Sequence, residues 1–355
     1  MNSRERYWAT THYAQRDKLY HWEMGPYEET LRKWHEQGLA ENDNWYTYGG
    51  YDAFATVPLH GGMNPGFEYK TLEITDEYEI YQDGDGVIKK KIKDVIYPAM
   101  PQYLEYPLKG REQWADFKRR FDPDDATRFP ADWENMKKSY ANRDYPLGIN
   151  CGSLFGWIRN WMGVEGISYE LYDDRAFIEQ AAEDVTDFMV AFLDKALPGV
   201  EYDFAVFWED MAYKSASLIS PKMYREIFYP QYRRITDKLH DAGIDVMMLD
   251  SDGNVDELIP IWLELGINFI YPMEVAAGMD VVALRKRFGK ELIIGGGMDK
   301  RVLASTKSAI KDMVDEKIPL MREGGYVPGC DHAMPPDISW ENYVYYRQLL
   351  LSVEP

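Results

Sequence analysis

The stretch VMMLDSDGN at residues 246–254 is a short apolar run followed directly by two aspartates, Asp250 and Asp252. An apolar run of this length that ends in turn-forming residues is typical of a buried strand. Asn254, with Glu257 three residues later, is typical of a helix N-terminus. The stretch therefore predicts a strand, a turn that carries two carboxylates, and a helix, which together make one unit of an α/β fold.

The same pattern repeats over residues 145–355. Strands are predicted at Tyr145–Cys151, Phe204–Trp208, Asp245–Leu249, Ile267–Tyr271, Glu291–Ile294 and Tyr326–Cys330. A helix is predicted over residues 176–197, where apolar residues recur at helical spacing. Repeated units of this kind predict a parallel sheet covered by helices. Because polar side chains follow several strands, we predict a closed (β/α)8 barrel, the TIM barrel, with an open doubly wound sheet as the alternative.

The first part of the chain, residues 1–110, lacks this repeat and is predicted to be an irregular N-terminal extension. Within it, Leu72–Tyr81 and Val87–Ile96 flank the turn sequence Asp-Gly-Asp-Gly and predict a β-hairpin. No Gly/Ser-rich or Pro-rich linker divides the chain, so a single domain over residues 1–355 is expected.

Composition excludes several classes of partner. The chain has 355 residues and a formal net charge of −20, from 60 acidic and 40 basic residues. Such a chain repels phosphate backbones and anionic membranes, so neither nucleic acid nor a membrane is expected as a partner. The N-terminus lacks the apolar region of a signal peptide, and no apolar stretch reaches membrane-spanning length, which predicts a cytoplasmic protein. The two cysteines, Cys151 and Cys330, form no visible disulfide framework.

Side chains suited to acid–base or metal chemistry follow the predicted strands. Asp250 and Asp252 are two residues apart, so they are predicted to point the same way and to suit proton transfer or metal binding. The alternative is a turn with a helix cap. Cys330 and His332 have the same spacing, and thiolate, imidazole and carboxylate are all zinc ligands. Their alternative interpretation is a buried thiol and a surface histidine.

The remaining candidates lie at other strand ends. Glu209 and Asp210 follow an apolar strand, where a charged pair needs partners or water, so a catalytic or a salt-bridged role fits. The predicted catalytic residues are Glu209, Asp210, Asp250, Asp252 and His332. The predicted metal ligands are Asp250, Asp252 and Cys330. The predicted substrate-binding residues are Asn150, Ser153, Trp208 and Glu274.

Several segments resemble the uroporphyrinogen decarboxylase superfamily. They are FWEDMAYKSASLISPKMYREIFYPQYRRI (207–235), LDSDGN (249–254), PMEVAAGMDVVALRKRFG (272–289), GGGMDK (295–300) and PGCDHAMPPDISWENY (328–343). The resemblance extends from about residue 145 to the C-terminus. It implies a (β/α)8 barrel whose site lies at the carboxyl ends of the strands.

Two chemistries occur in this superfamily. Its decarboxylases bind a tetrapyrrole through an R-Q-A-G-R motif, whereas the corresponding region here reads YHWEMGP at residues 20–26. Its corrinoid-dependent methyltransferases include zinc enzymes that use H-x-C and a later Cys. The matching positions are Asp250, Asp252 and Cys330, which implies a harder, more anionic ligand set with zinc as the candidate metal.

The chain most resembles the methyltransferase branch, which includes O-demethylases. This resemblance implies transfer of a methyl group from a small methylated substrate, a methoxylated aromatic compound, to a corrinoid (cobalamin) carried by a partner protein. It also implies a homodimer and, as the proton donor, Glu209 or His332. The alternative is a decarboxylase of another carboxylate, for which Arg159 and Lys214 are the cationic candidates near strand ends. A non-catalytic binding barrel is a third hypothesis.

Overall fold

The computed structural model describes residues 1–93 and 100–355. The strands are β1 (Ala55–Thr56), β2 (Lys70–Ile74), β3 (Tyr78–Gln82), β4 (Ile88–Ile92), β5 (Gln102–Glu105), β6 (Leu147–Asn150), β7 (Phe204–Trp208), β8 (Met247–Asp250), β9 (Phe269–Tyr271), β10 (Ile293–Met298) and β11 (Tyr326–Cys330). The helices are α1 (Ser3–Thr11), α2 (Glu28–Glu36), α3 (Trp45–Tyr48), α4 (Arg111–Phe117), α5 (Trp133–Tyr140), α6 (Phe155–Asp173), α7 (Arg175–Ala196), α8 (Pro221–Ile227), α9 (Tyr229–Asp241), α10 (Ile259–Glu264), α11 (Val281–Phe288), α12 (Lys300–Leu303), α13 (Lys307–Glu323) and α14 (Trp340–Leu351).

The larger sheet is parallel throughout, in the order β1-β6-β7-β8-β9-β10-β11. Its register pairs Trp208 with Asp250 and Asp250 with Tyr271. The carboxyl ends of these strands therefore lie at one edge of the sheet. The predicted α/β fold with a parallel sheet and covering helices is confirmed. None of the helices in the described part of the chain combines the length and the apolar composition needed to cross a membrane.

The predicted hairpin is part of a separate antiparallel sheet, in the order β2-β3-β4-β5. The predicted first arm contains two strands, because Thr75 makes a turn inside it. The Thr75 hydroxyl accepts hydrogen bonds from the backbone N–H groups of Glu77 and Tyr78, at 3.2 and 3.1 Å. Such turns compete with an extended backbone, so the single-arm prediction was wrong. Residues 94–96 of the predicted second arm lie outside the described residues.

Successive side chains of a strand point to opposite faces of the parallel sheet, so the apolar core is divided between the two faces. Val246 and Met248 belong to a cluster with Phe204 from β7, whereas Met247 and Leu249 pack in the main core with the helices. This is the period-two pattern of a strand that is buried on both sides. The first cluster also contains Tyr7 and Tyr20 from the N-terminal extension. The extension therefore covers one face of the sheet.

Residues 19–26 of the N-terminal region contact the residues just before β1 and also contact β11; we call them the bridging segment. On the β1 side, His21 O accepts a hydrogen bond from Asp52 N at 2.9 Å. On the β11 side, Glu23 Oε2 accepts one from Cys330 N at 3.3 Å. Glu23 Oε1 lies 3.1 Å from Arg347 Nη1 of α14, and both side chains are only 1% exposed. The bridging segment thus connects the region before β1 with β11 and is held by a buried ion pair.

Replacing Glu23 by alanine is expected to lower the free energy of unfolding by about 3–5 kcal/mol, because it leaves the Arg347 guanidinium buried without its partner. Denaturant unfolding followed by circular dichroism measures this change. Glu36→Ala is the matched control, since Glu36 is exposed at the end of α2, and it should change stability by less than about 0.5 kcal/mol. Equal effects of the two variants would contradict this role of the ion pair.

Candidate active site

The polar residues that follow β7 to β11 meet at the carboxyl edge of the parallel sheet. Asp210 follows β7, and Asp250 and Asp252 lie at the end of β8; we call these three the acidic cluster. The backbone N–H of Asp252 donates to Asp210 Oδ1 at 3.2 Å. Asp210 has a φ of +48°, an uncommon value for a residue with a Cβ, and such backbone strain is often found at functional sites.

Burial changes the proton affinity of the acidic cluster. It raises the pKa of Asp250 to about 7, and the charges of Asp252 and Asp210 add to the increase. It also raises the pKa of Asp210, again with a contribution from Asp252, while Arg159 opposes the increase. The Asp250 carboxyl makes no hydrogen bond with any residue that the structure describes. Asp250 is therefore a half-buried acid that can hold or release a proton near neutral pH.

A hydrogen-bonded chain connects the acidic cluster to the N-terminal extension. His332 Nε2 lies 3.1 Å from Asp252 Oδ2, and His332 Nδ1 lies 3.1 Å from the Tyr27 hydroxyl. The hydrogen bond with Asp252 raises the pKa of His332, although burial opposes the increase. Both ring nitrogens of His332 are therefore occupied. No local sequence pattern indicates Tyr27, because it lies 305 positions from His332.

Glu274 and Lys300 form an ion pair near this hydrogen-bonded chain. Lys300 Nζ donates to Glu274 Oε1 at 2.8 Å, and Glu274 Oε2 accepts from Gly253 N at 2.9 Å. The carboxylate of Asp331, which is fully buried, accepts from Lys300 N and Val275 N at 2.9 and 3.0 Å. Glu274 thus fixes the turn after Asp252, and Asp331 ties together the loops that follow β9 and β10.

Glu209 lies behind the acidic cluster and is fully buried. Its two carboxylate oxygens accept hydrogen bonds from Leu154 N at 2.9 Å and Gly156 N at 3.0 Å, and the Tyr232 hydroxyl also donates to it. Burial raises its pKa to about 7, against the effect of these hydrogen bonds. These contacts anchor the start of α6, so a structural role also fits Glu209. A catalytic role for Glu209 stays a prediction.

The structure does not assemble the predicted metal ligands. Cys330 is buried in the main core with the helices, and its Sγ lies 4.0 Å from Asp331 Oδ1. Burial raises the pKa of this thiol well above its ordinary value, which disfavours the thiolate that binds metals. Within residues 1–93 and 100–355, no three His, Cys, Asp or Glu side chains are grouped so that they could hold a metal ion. Asp250, Asp252 and Cys330 therefore do not fit zinc as a set.

The predicted substrate-binding residues are spread around the edge of the sheet. Trp208 and Asp210 line a pocket of about 350 Å³, whose opposite wall is formed by the antiparallel sheet and by α6. Asn150 Oδ1 accepts from Gly152 N at 2.8 Å. Ser153 is buried, and its hydroxyl accepts from Trp157 N at 3.2 Å. Asn150 and Ser153 thus stabilise the turn into α6.

A sequence model of a protein family matches most of this chain. The model described as uroporphyrinogen decarboxylase (URO-D) matches residues 100–348, well over half of the chain. The chain belongs to the uroporphyrinogen decarboxylase family. The suspected relationship is therefore confirmed, and the carboxyl edge of the sheet is the place where parallel α/β enzymes of barrel type locate their chemistry.

Comparison with solved structures shows a shared fold over nearly the whole chain. A methyltransferase from Methanosarcina mazei superposes with a TM-score of 0.60 at 14% identity, over 99% of this chain and 98% of that one. At this identity the match shows a shared fold. A B12-independent methionine synthase from Shewanella sp. W3-18-1 matches with a TM-score of 0.39 at 10% identity, over 80% of this chain and 74% of that one, which is too distant to support an argument. A comparison with curated protein sequences found no match.

The hydrogen bond between Asp252 and His332 leads to a pKa prediction. Asp252→Asn removes the carboxylate that raises the pKa of His332, so this pKa should fall. An NMR titration of histidine-labelled protein measures it, with His332→Gln to assign the signal.

Asp245→Asn is the matched control, because Asp245 pairs with a different histidine, His12, at 2.9 Å. A pKa of His332 that stays the same in Asp252→Asn would show that the contact does not form in solution.

Proposed function

We propose that this protein is a methyltransferase that transfers a methyl group from a small methoxylated aromatic substrate to a corrinoid carried by a partner protein. The main support is that a half-buried, protonatable acid, Asp250, lies beside the Asp252–His332–Tyr27 chain. Asp210, which accepts a hydrogen bond from Asp252 N, lines an aromatic pocket. The family assignment, and a fold shared over nearly the full length with a protein named a methyltransferase, agree with it.

The proposal includes the architecture. We infer that residues 1–355 form one domain and that the bridging segment takes the place of a strand, so that the parallel sheet closes as a (β/α)8-type barrel. Support comes from its contacts with Asp52 beside β1 and with Cys330 in β11. A closed barrel would direct all strand ends to one mouth, where a partner protein can approach.

The chemistry of the leaving group assigns the role of the acid. When its protein is bound, the corrinoid supplies the nucleophile that accepts the methyl group. Breaking the bond between the methyl carbon and the ether oxygen leaves an electron pair on that oxygen, which must gain a proton. Asp250 is suited to donate it, because its pKa of about 7 keeps much of the acid protonated at neutral pH. Asp250 would regain its proton from solvent.

His332 acts through Asp252 in this scheme. Its two ring nitrogens are engaged by Asp252 and Tyr27, so it orients Asp252 and offsets its charge when protonated. The negative charge of Asp252 in turn helps to keep Asp250 protonated. No step is assigned to zinc, because the side chains present do not fit it.

Decarboxylation of a carboxylate other than uroporphyrinogen is the second candidate. It is favoured by Arg159, a cationic side chain that lines the pocket. Release of carbon dioxide without any corrinoid would select this reaction. Methyl transfer to cob(I)alamin, with retention of the substrate carboxylate, would exclude it.

Asp250→Asn is expected to reduce methyl transfer from methoxylated aromatic compounds to cob(I)alamin by about 10²- to 10⁴-fold, because the amide cannot donate the proton. In the wild type, activity should decline as the pH rises through about 7, since the protonated form of Asp250 is required. The absorbance change of cob(I)alamin measures both effects.

The control for this variant is Asp256→Asn, which alters an exposed carboxylate paired with Arg287 at 2.7 Å. It should keep wild-type activity and the wild-type pH profile. Full activity of Asp250→Asn, or an activity that increases above pH 7, would refute the assignment of Asp250 as the acid.

A further inference from the structure

The pocket at the carboxyl edge is enclosed by parts of the chain that are far apart in sequence. Tyr103 and Tyr106 come from the antiparallel sheet and the residues after it, Arg159 comes from α6, and Trp208 ends β7. The rings of Tyr103 and Tyr106 are nearly parallel, with centroids 6.1 Å apart and an interplanar angle of 8°. The pocket of about 350 Å³ has the size of a small-molecule site.

Arg159 has hydrogen-bond donors that the protein does not use. Its Nη2 donates to Asn160 Oδ1 at 3.2 Å and lies 3.5 Å from Asp210 Oδ2. Its Nε is buried and has no partner among the residues that the structure describes. A guanidinium carries five N–H donors in a planar fork, so most of them remain available for a ligand.

The other charged groups of the pocket are less suited than Arg159 to bind an anionic ligand. Lys89 Nζ is paired with Asp83 at 2.5 Å, so its charge is neutralised. Asp85 and Asp210 also line the pocket, and burial raises the pKa of both carboxyls, which makes them easier to protonate when an anion approaches. An unpaired buried donor in such a place favours an acceptor from the ligand.

The guanidinium of Arg159 lies over the ring of Trp208. Arg159 lies 5.3 Å from the centroid of the Trp208 ring, an arrangement that fixes its plane. Flat aromatic walls favour a planar ring as ligand, because stacked and edge-to-face ring contacts are both favourable. The combination of a planar cation and aromatic walls therefore selects a planar, anionic molecule.

We propose that this pocket, here named the Arg159 pocket, binds an aromatic carboxylate whose carboxylate group pairs with the guanidinium of Arg159 and whose ring packs against Trp208 and Tyr106. This inference rests on the proposed function and specifies its substrate as a methoxylated aromatic acid. Arg159 then acts as the residue that selects anionic over neutral substrates.

Isothermal titration calorimetry on the full chain tests the pocket without requiring turnover. The probes are 4-methoxybenzoate and its neutral analogue 4-methoxybenzyl alcohol. Wild-type protein should bind the benzoate more tightly. Arg159→Met should raise the Kd for the benzoate by about 10- to 100-fold and leave the Kd for the alcohol unchanged, because a charged hydrogen bond is lost. Arg159→Lys should give an intermediate Kd.

Arg287→Met is the matched control, since Arg287 pairs with Asp256 on the surface, and it should bind both probes like the wild type. Thermal melting checks that each variant folds. If Arg159→Met does not fold, the Kd values of Arg159→Lys and the comparison of the two probes on the wild type test the proposal instead. Equal Kd values for the two probes, no binding of either, or an unchanged Kd in Arg159→Met would overturn the proposal.

The methyl-transfer assay separates this proposal from the proposed function. If the benzoate binds through Arg159 but no methyl group reaches cob(I)alamin, the Arg159 pocket stands and the methyltransferase assignment fails. If wild type and Arg159→Met demethylate 4-methoxybenzoate equally well, the methyltransferase assignment stands and the anionic substrate fails.

Discussion

The parallel register of β7, β8 and β9 forces the carboxylates that follow these strands into one small, partly buried volume. Like charges at short range, removed from water, resist ionisation, which is why the pKa values of Asp250 and Asp210 rise. Asp252 remains next to them because His332 hydrogen bonds to it. This crowding of carboxylates explains the surrounding contacts. Neighbouring cations and hydrogen-bond donors offset part of the negative charge.

The N-terminal extension is part of the site rather than an appendage. Its bridging segment is anchored at Glu23 by Arg347, and just beyond it Tyr27 reaches His332. The same part of the chain therefore connects the region before β1 with β11 and orients the histidine. A loss of packing in the extension would disturb the acidic cluster, because Tyr27 is the only described side chain that contacts His332 Nδ1.

The antiparallel sheet has a comparable double role. Its strands are exposed or only partly buried, so it contributes little to the core, yet Tyr103 and Lys89 form one wall of the pocket. Together with α6 it creates an aromatic, cation-bearing cavity that is lined by Asp210, whose charge acts on the neighbouring Asp250. This combination suits a planar substrate whose leaving oxygen needs a proton, and it is the physical basis of the proposed methyl transfer.

The sequence by itself determined the alternation of strands and helices and the position of Asp250, Asp252 and His332 at strand ends, because these depend on local periodicity and turn chemistry. It did not determine which way Cys330 points. Val327 faces the cluster that contains Tyr20, and three residues later along the strand Cys330 faces the helices, so the thiol is directed away from the aspartates. Only the tertiary structure decided this orientation, the anchoring of α6 by Glu209, and the contacts of Tyr27 and Arg159. The reason is that these contacts depend on how distant segments pack, which no local pattern encodes.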